Sequence, residues 1–176
     1  VSWDDDGVWL KNIVKIKRMR VLITGIGGFV GKHLANLLLM KDCEVYGISK
    51  DETKIKNVTV FIADMNNASE IDEVIKNVKP QVIYHLAAVS SVEDCRLDPD
   101  LAQKVNVEGT RILLSACLQN GIKPTTIITS TGHVYGVPKY IPLDEKHPVN
   151  PQSEYARSKL MQEKVALEFF KNHDFP

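Results

Sequence analysis

The sequence predicts an α/β fold built as a doubly wound parallel sheet with helices on both faces. Short apolar runs typical of buried strands alternate with helical patterns along most of the chain, which is the arrangement of a parallel sheet. The first run, Val21–Ile23, leads directly into a glycine cluster that opens the helical pattern 29–40. With right-handed crossovers and the glycine turn at the point where the winding reverses, the predicted strand order is 3-2-1-4-5.

Two further strands and a capped helix follow the first helix. Strand 2 is predicted at 43–48 and strand 3 at 58–63, because both are short apolar runs that end at polar residues. Asn67 and Glu70 have the spacing of a capping box, so a helix is expected from 67 to about 78. Pro80 ends that helix, since proline cannot continue it.

The second half of the chain continues the alternation. Strand 4 is predicted at 82–86, followed by a loop to Pro99. One helix is predicted from Asp100 to Asn120, with Gly121 as its C-terminal cap. Strand 5 is predicted at 126–130, a proline-rich loop at 131–151 and the last helix at 153–171.

At 176 residues the chain is long enough for one domain. The pattern changes abruptly at Met19, so residues 1–18 are interpreted as an N-terminal extension outside the core. An extra strand or helix at the sheet edge is the alternative for that segment. Residues 19–176 are predicted to be the domain, and the later strands of such a sheet are expected to be missing after Pro176.

Composition and charge exclude several functional classes. The formal net charge is zero, which argues against a nucleic-acid or anionic-membrane partner. No apolar run reaches the roughly 20 residues of a membrane span. Cys43, Cys95 and Cys117 lack the spacing of metal or redox sites, so no metal is expected and a cytoplasmic location with reduced thiols is favoured.

The glycine cluster predicts a site for a dinucleotide. Gly25 lets the chain turn off the strand, Gly28 lets the backbone approach a pyrophosphate, and Gly31 lets the helix pack closely on the sheet. The following helix N-terminus presents free N–H groups and positive dipole to the phosphates. The alternative is a glycine-rich strand-to-helix turn that binds nothing.

Tyr155 and Lys159 are the second informative feature. Residues four apart on a helix lie on one face, and a cation beside a phenol favours the phenolate form. Such a tyrosine can exchange a proton with a hydroxyl or ketone. The alternative is a surface tyrosine beside a solvated lysine.

Together these motifs resemble the extended short-chain dehydrogenase/reductase family, in its nucleotide-sugar epimerase, dehydratase and reductase branch, which has a Rossmann-like fold. The resemblance covers Met19 to the end of the chain. Within the branch it is nearest to GDP-4-keto-6-deoxymannose reductases and GDP-mannose 4,6-dehydratases. The segments that carry it are Thr24-Gly-Ile-Gly-Gly-Phe-Val-Gly31, His85-Leu-Ala-Ala88, Ala88-Val-Ser-Ser-Val92, Asp98-Pro99, Val105-Asn-Val-Glu-Gly-Thr110, Ser130-Thr131, Val134-Tyr-Gly136 and Tyr155 with Lys159.

The resemblance implies a role for each matching residue. Tyr155 is implied as the acid/base, Lys159 as the group that binds the nicotinamide ribose, and Thr131 as a hydrogen-bond partner of the reacting sugar oxygen. Substrate contacts are implied for Ser90, Thr131 and His133. Cofactor contacts are expected for Gly25, Gly27, Gly28, Phe29, Val30, Gly31, Lys50, Asp64, Met65, Leu86, Ala87, Ala88, Asn106, Tyr155 and Lys159. A turn or cap role for Asp64 and a structural role for Asn106 are the alternatives.

Two departures from the family pattern bear on cofactor and reaction. NAD enzymes of this fold usually place a carboxylate at the end of strand 2, where this chain has Ser49 and Lys50, so NADP is favoured over NAD. Asp51 keeps NAD open. His133 stands where dehydratases of the branch carry an acidic residue, which argues against a standard dehydratase. It acts either as a different acid/base or only as a hydrogen-bonding loop residue.

The expected function is therefore reduction of a 4-keto-6-deoxy sugar nucleotide by an NAD(P)-dependent enzyme. A 4-epimerase or 4,6-dehydratase of the same family is the alternative, and a non-catalytic dinucleotide-binding module is the alternative from another class. The resemblance implies a homodimer for the full-length protein, with the fragment itself inactive.

Overall fold

A computed structural model describes residues 18–176 as a five-stranded parallel sheet. The strands are β1 (Arg20–Thr24), β2 (Glu44–Ser49), β3 (Thr59–Ile62), β4 (Val82–His85) and β5 (Thr125–Ile128). Their order is β3-β2-β1-β4-β5, which confirms the predicted fold class and strand order. The predicted extension lies outside the described residues except for Arg18, whose guanidinium lies 2.7 Å from the Asp42 carboxylate.

Helices cover both faces of the sheet. They are α1 (Phe29–Met40), α2 (Ala68–Val78), α3 (Val92–Leu97), α4 (Pro99–Ala102), α5 (Gly109–Gln119) and α6 (Glu154–His173). A π-helical segment (Gln103–Glu108) lies between α4 and α5, and a 3₁₀ turn (Gly132–Tyr135) follows β5. Among the helices of residues 18–176, none is long and apolar enough to cross a bilayer.

The capping arrangement of α2 differs in one detail from the predicted box. The Asn67 side chain accepts from the backbone N–H groups of Ser69 and Glu70, as a cap does. The Glu70 carboxylate, however, accepts from the Asp64 N–H and from the Asn67 side-chain amide rather than from the Asn67 N–H. Glu70 thereby ties the start of α2 to the residue that follows β3.

The predicted single helix from 100 to 120 is wrong in its regularity. Asp98 caps α4 by accepting from the Leu101 N–H at 2.9 Å, so the helical run begins at Pro99. Further on, the Thr110 hydroxyl donates to the Asn106 carbonyl at 2.7 Å. A hydroxyl that bonds back to a carbonyl four residues earlier bends a helix, and the π-helical turn occurs at this position. The loop expected before Pro99 contains α3.

Alternate side chains of β1 enter two separate cores. Val21 and Ile23 pack on the α1 side with Ala35, whereas Leu22 packs on the opposite side among residues of α2 and α5. Because side chains of a strand point alternately to the two faces, a strand covered on both faces is apolar at successive positions, as β1 is from Val21 to Ile23. The central strand β1 is therefore covered on both faces, whereas the edge strands β3 and β5 are partly exposed.

We expect Gly31→Ala to destabilise the domain by about 1–3 kcal/mol, because an added methyl group overpacks the turn. A Cβ at Gly31 would lie 2.7 Å from the Ile26 Cα and carbonyl oxygen, which are backbone atoms that cannot swing away. This overlap outweighs the roughly 1 kcal/mol that Ala gains over Gly inside a helix. Urea unfolding measures the difference.

Gly132→Ala is the matched control, since nothing lies within 4 Å of a Cβ built there. Equal stability of the two variants would contradict the close packing of α1 on the glycine turn.

Candidate functional site

A cavity of about 900 Å³ opens at the carboxyl ends of the strands, across the point where the sheet reverses its winding. Its volume is near the upper end of the roughly 300–1,000 Å³ typical of small-molecule sites. The predicted site residues that line it are Gly25, Gly27, Gly28, Phe29, Val30, Gly31, Lys50, Asp64, Met65, Leu86, Ala87, Ala88, Ser90, Tyr155 and Lys159. Asn106, Thr131 and His133 are absent from its lining.

The glycine turn forms one wall from backbone alone. Gly25 has φ +68°, and a Cβ there would lie 2.8 Å from the Ala87 nitrogen. A Cβ at Gly27 would lie 2.8 Å from the Thr53 hydroxyl oxygen. Gly28 precedes α1 without a side-chain cap, and the first turn of α1 has no acidic residue. The N–H groups at this helix end are therefore available to an anion, as a pyrophosphate requires.

Hydroxyl groups and one ion pair lie at the end of β2. The Ser49 and Thr53 hydroxyl oxygens are 3.1 Å apart, and the Lys50 ammonium lies 3.5 Å from the Asp64 carboxylate. The pKa of Asp64 is lowered, first by the Asn66 N–H that donates to it and then by the charge of Lys50. Lys50 therefore lines the cavity and at the same time forms an ion pair with Asp64.

Helix α6 contributes Tyr155 and Lys159 to the lining of the same cavity. Ser153 begins this helix by accepting from the Ala156 N–H at 3.2 Å. Lys159 is only 2% exposed, and burial lowers its pKa to about 8, while the nearby Glu163 carboxylate opposes that shift. The ammonium group is thus still charged at neutral pH within the wall.

The segment after β5 places Thr131 and His133 beside the cavity rather than in its lining. The Thr131 hydroxyl accepts from the His133 N–H at 3.3 Å and so caps the 3₁₀ turn beside the cavity. The His133 ring approaches Tyr155 edge-on, with ring centroids 6.2 Å apart. Ser130 lines the cavity instead and donates to Glu163. Its position two residues beyond the end of β5 is the signal that could have identified it.

Asn106 lies behind the cavity wall rather than in its lining. Its side chain is fully buried, accepts from the Val89 N–H at 2.8 Å and donates to the Val89 carbonyl at 3.1 Å. It also donates to the Ser158 hydroxyl at 2.9 Å. Asn106 therefore fastens the loop after β4 to α6, which is the structural alternative considered for it.

Several lining residues were not assigned from the sequence. Those at or after strand ends carry the same positional signal as their neighbours, whereas those from α4 and the π-helical segment carry none that periodicity reveals. They are Ile48, Ser49, Asp51, Thr53, Ala63, Val89, Leu101, Val105, Thr129 and Ser130. Within residues 18–176, no three His, Cys, Asp or Glu side chains converge as metal ligands would.

Comparison with known proteins gives the same family from sequence and from structure. Residues 21–176 match the model of the NAD dependent epimerase/dehydratase family. The chain is 34% identical to a UDP-glucose 4-epimerase of Mycolicibacterium smegmatis over 88% of its own length and 52% of that protein. It is 30% identical to a GDP-mannose 4,6-dehydratase of Vibrio cholerae, covering 81% of this chain and 43% of that protein.

A solved structure agrees with these relatives. The UDP-glucose 4-epimerase of Thermus thermophilus in complex with NAD superposes with a TM-score of 0.83 at 31% identity, over 89% of this chain and 52% of that one. The chain spans about half the length of the curated relatives it matches. The family match covers most of this chain and the fold agrees, so the chain belongs to the NAD dependent epimerase/dehydratase family.

Proposed function

We propose that this chain binds a nicotinamide dinucleotide and supplies the proton-transfer group for oxidation or reduction of a nucleotide sugar. The observation that carries the proposal is that Tyr155 and Lys159 line the same cavity as the glycine turn. The glycine turn, the uncapped start of α1 and the small side chains of Ala87 and Ala88 fit the phosphates and rings of such a cofactor. When bound, the cofactor supplies or accepts the hydride.

Each residue of the proposed catalytic set has a separate task. Tyr155 gives a proton to the sugar oxygen during reduction and removes it during oxidation. The Lys159 ammonium is the proposed contact of the nicotinamide ribose. Thr131 orients the reacting oxygen through a hydroxyl that both donates and accepts. Ser90 and His133 are proposed substrate contacts beside it.

Two outcomes of this chemistry are candidates, reduction of a 4-keto-6-deoxy sugar nucleotide and 4-epimerisation. The 4-epimerase is supported by the activity named for the Mycolicibacterium smegmatis and Thermus thermophilus relatives. A reductase consumes one reduced cofactor for each product, whereas an epimerase interconverts its substrates without net cofactor change. Absorbance of the reduced nicotinamide during turnover separates them.

The dehydratase outcome has less support in this chain. His133 is an exposed residue beside Tyr155 where elimination calls for an acidic group. The homodimer and the cytoplasmic location expected from the sequence stay predictions for the whole protein.

For cofactor choice, we expect tighter binding of NADPH than of NADH, because Lys50 and the Ser49 and Thr53 hydroxyls are available to a 2′-phosphate. Lys50→Asp should reverse or erase the preference by placing a second carboxylate beside Asp64. Calorimetric titration with both cofactors measures it.

Lys54→Asp is the matched control. Lys54 pairs with Glu52 at 3.0 Å and is absent from the cavity lining. Tighter binding of NADH to the unmutated chain would overturn the NADP preference and leave NAD as the cofactor.

A further inference from the structure

A buried chain of hydrogen-bonded polar side chains connects α6, the helix that carries Lys159, to the end of β1. The Lys159 ammonium lies 2.6 Å from the Gln162 side-chain oxygen, and the Gln162 amide nitrogen lies 2.8 Å from the Thr110 hydroxyl. That hydroxyl lies 2.8 Å from Nε2 of His85, whose Nδ1 lies 2.7 Å from the Thr24 hydroxyl. All five side chains are 2% exposed or less, so water cannot replace these bonds. We call these five residues the buried polar chain.

The direction of each bond at the His85 end follows from counting protons. The Thr110 hydroxyl donates its only proton to the Asn106 carbonyl, because a carbonyl can only accept. Nε2 of His85 must therefore donate to the Thr110 oxygen. In a neutral imidazole Nδ1 is then the acceptor, and the Thr24 hydroxyl donates to it. The Thr24 oxygen in turn accepts from the Ala87 N–H at 3.1 Å.

The same count fixes the orientation of the Gln162 carboxamide. Thr110 has no proton left to donate to Gln162, so it accepts from the Gln162 amide nitrogen. The Gln162 oxygen is therefore the atom that faces Lys159, and an ammonium group can only donate to it. A carboxamide flipped by 180° would place two donors together at Lys159 and leave the Thr110 lone pair without its donor.

Titratable groups from three elements surround Lys159, so the position of its neutral acceptor is important. Tyr155 and Glu163 neighbour it on α6, Cys95 faces it from α3 and His85 faces it from β4. Burial lowers the pKa of Lys159, and the Glu163 charge raises it again. A flexible lysine with four rotatable bonds needs a fixed partner to hold its ammonium at one point of the wall.

We propose that Gln162 is a positioning residue that fixes the charged end of Lys159 at the cavity wall, and that Thr110 and His85 fix Gln162. The cofactor side of this inference rests on the proposed function, since Lys159 is the proposed ribose contact. The side chain of Gln162 itself touches neither cavity nor cofactor, because it is fully buried and absent from the lining. It acts on binding only through Lys159.

The test compares two substitutions that keep the volume of the side chain. Gln162→Leu removes the acceptor and should lower the pH at which Lys159 titrates. Gln162→Glu replaces it with a charged acceptor and should raise that pH by about 1–3 units, the usual effect of a close opposite charge. The readout is NMR titration of lysine labelled at Cε and Nζ in the cofactor-free protein, with Lys159→Met identifying the signal.

Gln119→Leu is the control, since Gln119 is exposed on α5. If Gln162→Leu does not fold, the upward shift in Gln162→Glu tests the contact alone. A Lys159 titration that is unchanged in the folded Gln162 variants would overturn the inference. Opposite shifts in the two variants support it, because general loosening of the core moves both in the same direction.

A second readout separates this inference from the proposed function. NADPH affinity, measured by fluorescence from neutral to alkaline pH, should fall as Lys159 loses its proton, at lower pH in Gln162→Leu and at higher pH in Gln162→Glu. An affinity that ignores pH while the NMR shifts appear supports the Gln162 contact and overturns the role of Lys159 in cofactor binding. Loss of both effects overturns the inference.

Discussion

Tyr155→Phe is expected to lower turnover by about 10²–10⁴-fold, the usual contribution of a general acid/base group. The substitution keeps the ring and its edge-on contact with His133 but removes the one proton that the proposed chemistry moves. NADPH affinity should change little, because the glycine turn and Lys159 are untouched. The assay uses a form of the protein that converts a nucleotide sugar, with steady-state rates and calorimetric affinities measured on the same samples.

Three further variants test whether the loss of turnover is caused by removing the Tyr155 hydroxyl proton. Tyr46→Phe is the control, since its hydroxyl donates to Glu44 at 2.6 Å on β2 and the residue is absent from the cavity lining. Thr131→Val should lower turnover less than Tyr155→Phe, because Thr131 orients the oxygen and transfers nothing. Lys159→Met should weaken both turnover and binding. Full activity of Tyr155→Phe with epimerase and reductase substrates would contradict the proposed mechanism.

The fold could be predicted from the sequence because apolar strand segments and turn glycines are recognised from short stretches of chain. A strand whose central positions are all apolar, such as β1 at Val21–Ile23, has to be covered on both faces, and short crossovers then leave little choice of strand order. The glycine turn could also be predicted from the sequence, since Gly25 adopts φ +68° and Gly31 has no room for a side chain. These requirements restrict residue type at single positions, so the sequence displays them.

The side-chain contacts of the site could not be predicted where they join residues that are far apart in the sequence. Gln162 and Thr110 are 52 positions apart, and Asn106 and Ser158 are likewise 52 apart, so no local period brings these side chains together. The π-helical segment between α4 and α5 coincides with a bond from the Thr110 hydroxyl to the Asn106 carbonyl, which hydrophobic periodicity does not reveal. The family resemblance implied that Asn106 contacts the cofactor, whereas its side-chain amide forms buried hydrogen bonds with Val89 and Ser158 behind the cavity wall.

The buried polar chain leads to the second large expected effect, a loss of stability in mild acid. Burial first, and then the charge of Lys159, lower the pKa of His85 to about 3 from the ordinary value of 6.5. The proton count agrees, because protonated Nδ1 would become a donor facing the Thr24 hydroxyl that now donates to it. The folded protein thus holds a neutral imidazole that the unfolded chain readily protonates.

The sign follows from linkage. Below pH 6.5 the unfolded chain binds a proton at His85 that the folded protein excludes, so the free energy of unfolding falls as pH falls, down to about 3. From pH 7 to pH 5 the two values give a loss of about 2 kcal/mol. Carboxylates with lowered pKa, such as that of Asp64, add to the loss only at lower pH.

Urea unfolding at pH 7, 6 and 5 measures this loss, with His85→Gln as the test variant and His33→Gln as the control. A glutamine can accept from Thr24 and donate to Thr110 without titrating, so His85→Gln should flatten the pH dependence even if it lowers stability at every pH. His33 is exposed on α1, and its replacement should leave the slope unchanged. An equal slope in His85→Gln and the unmutated protein would show that His85 takes up its proton in the folded state. The neutral imidazole would then have no part in holding the buried polar chain.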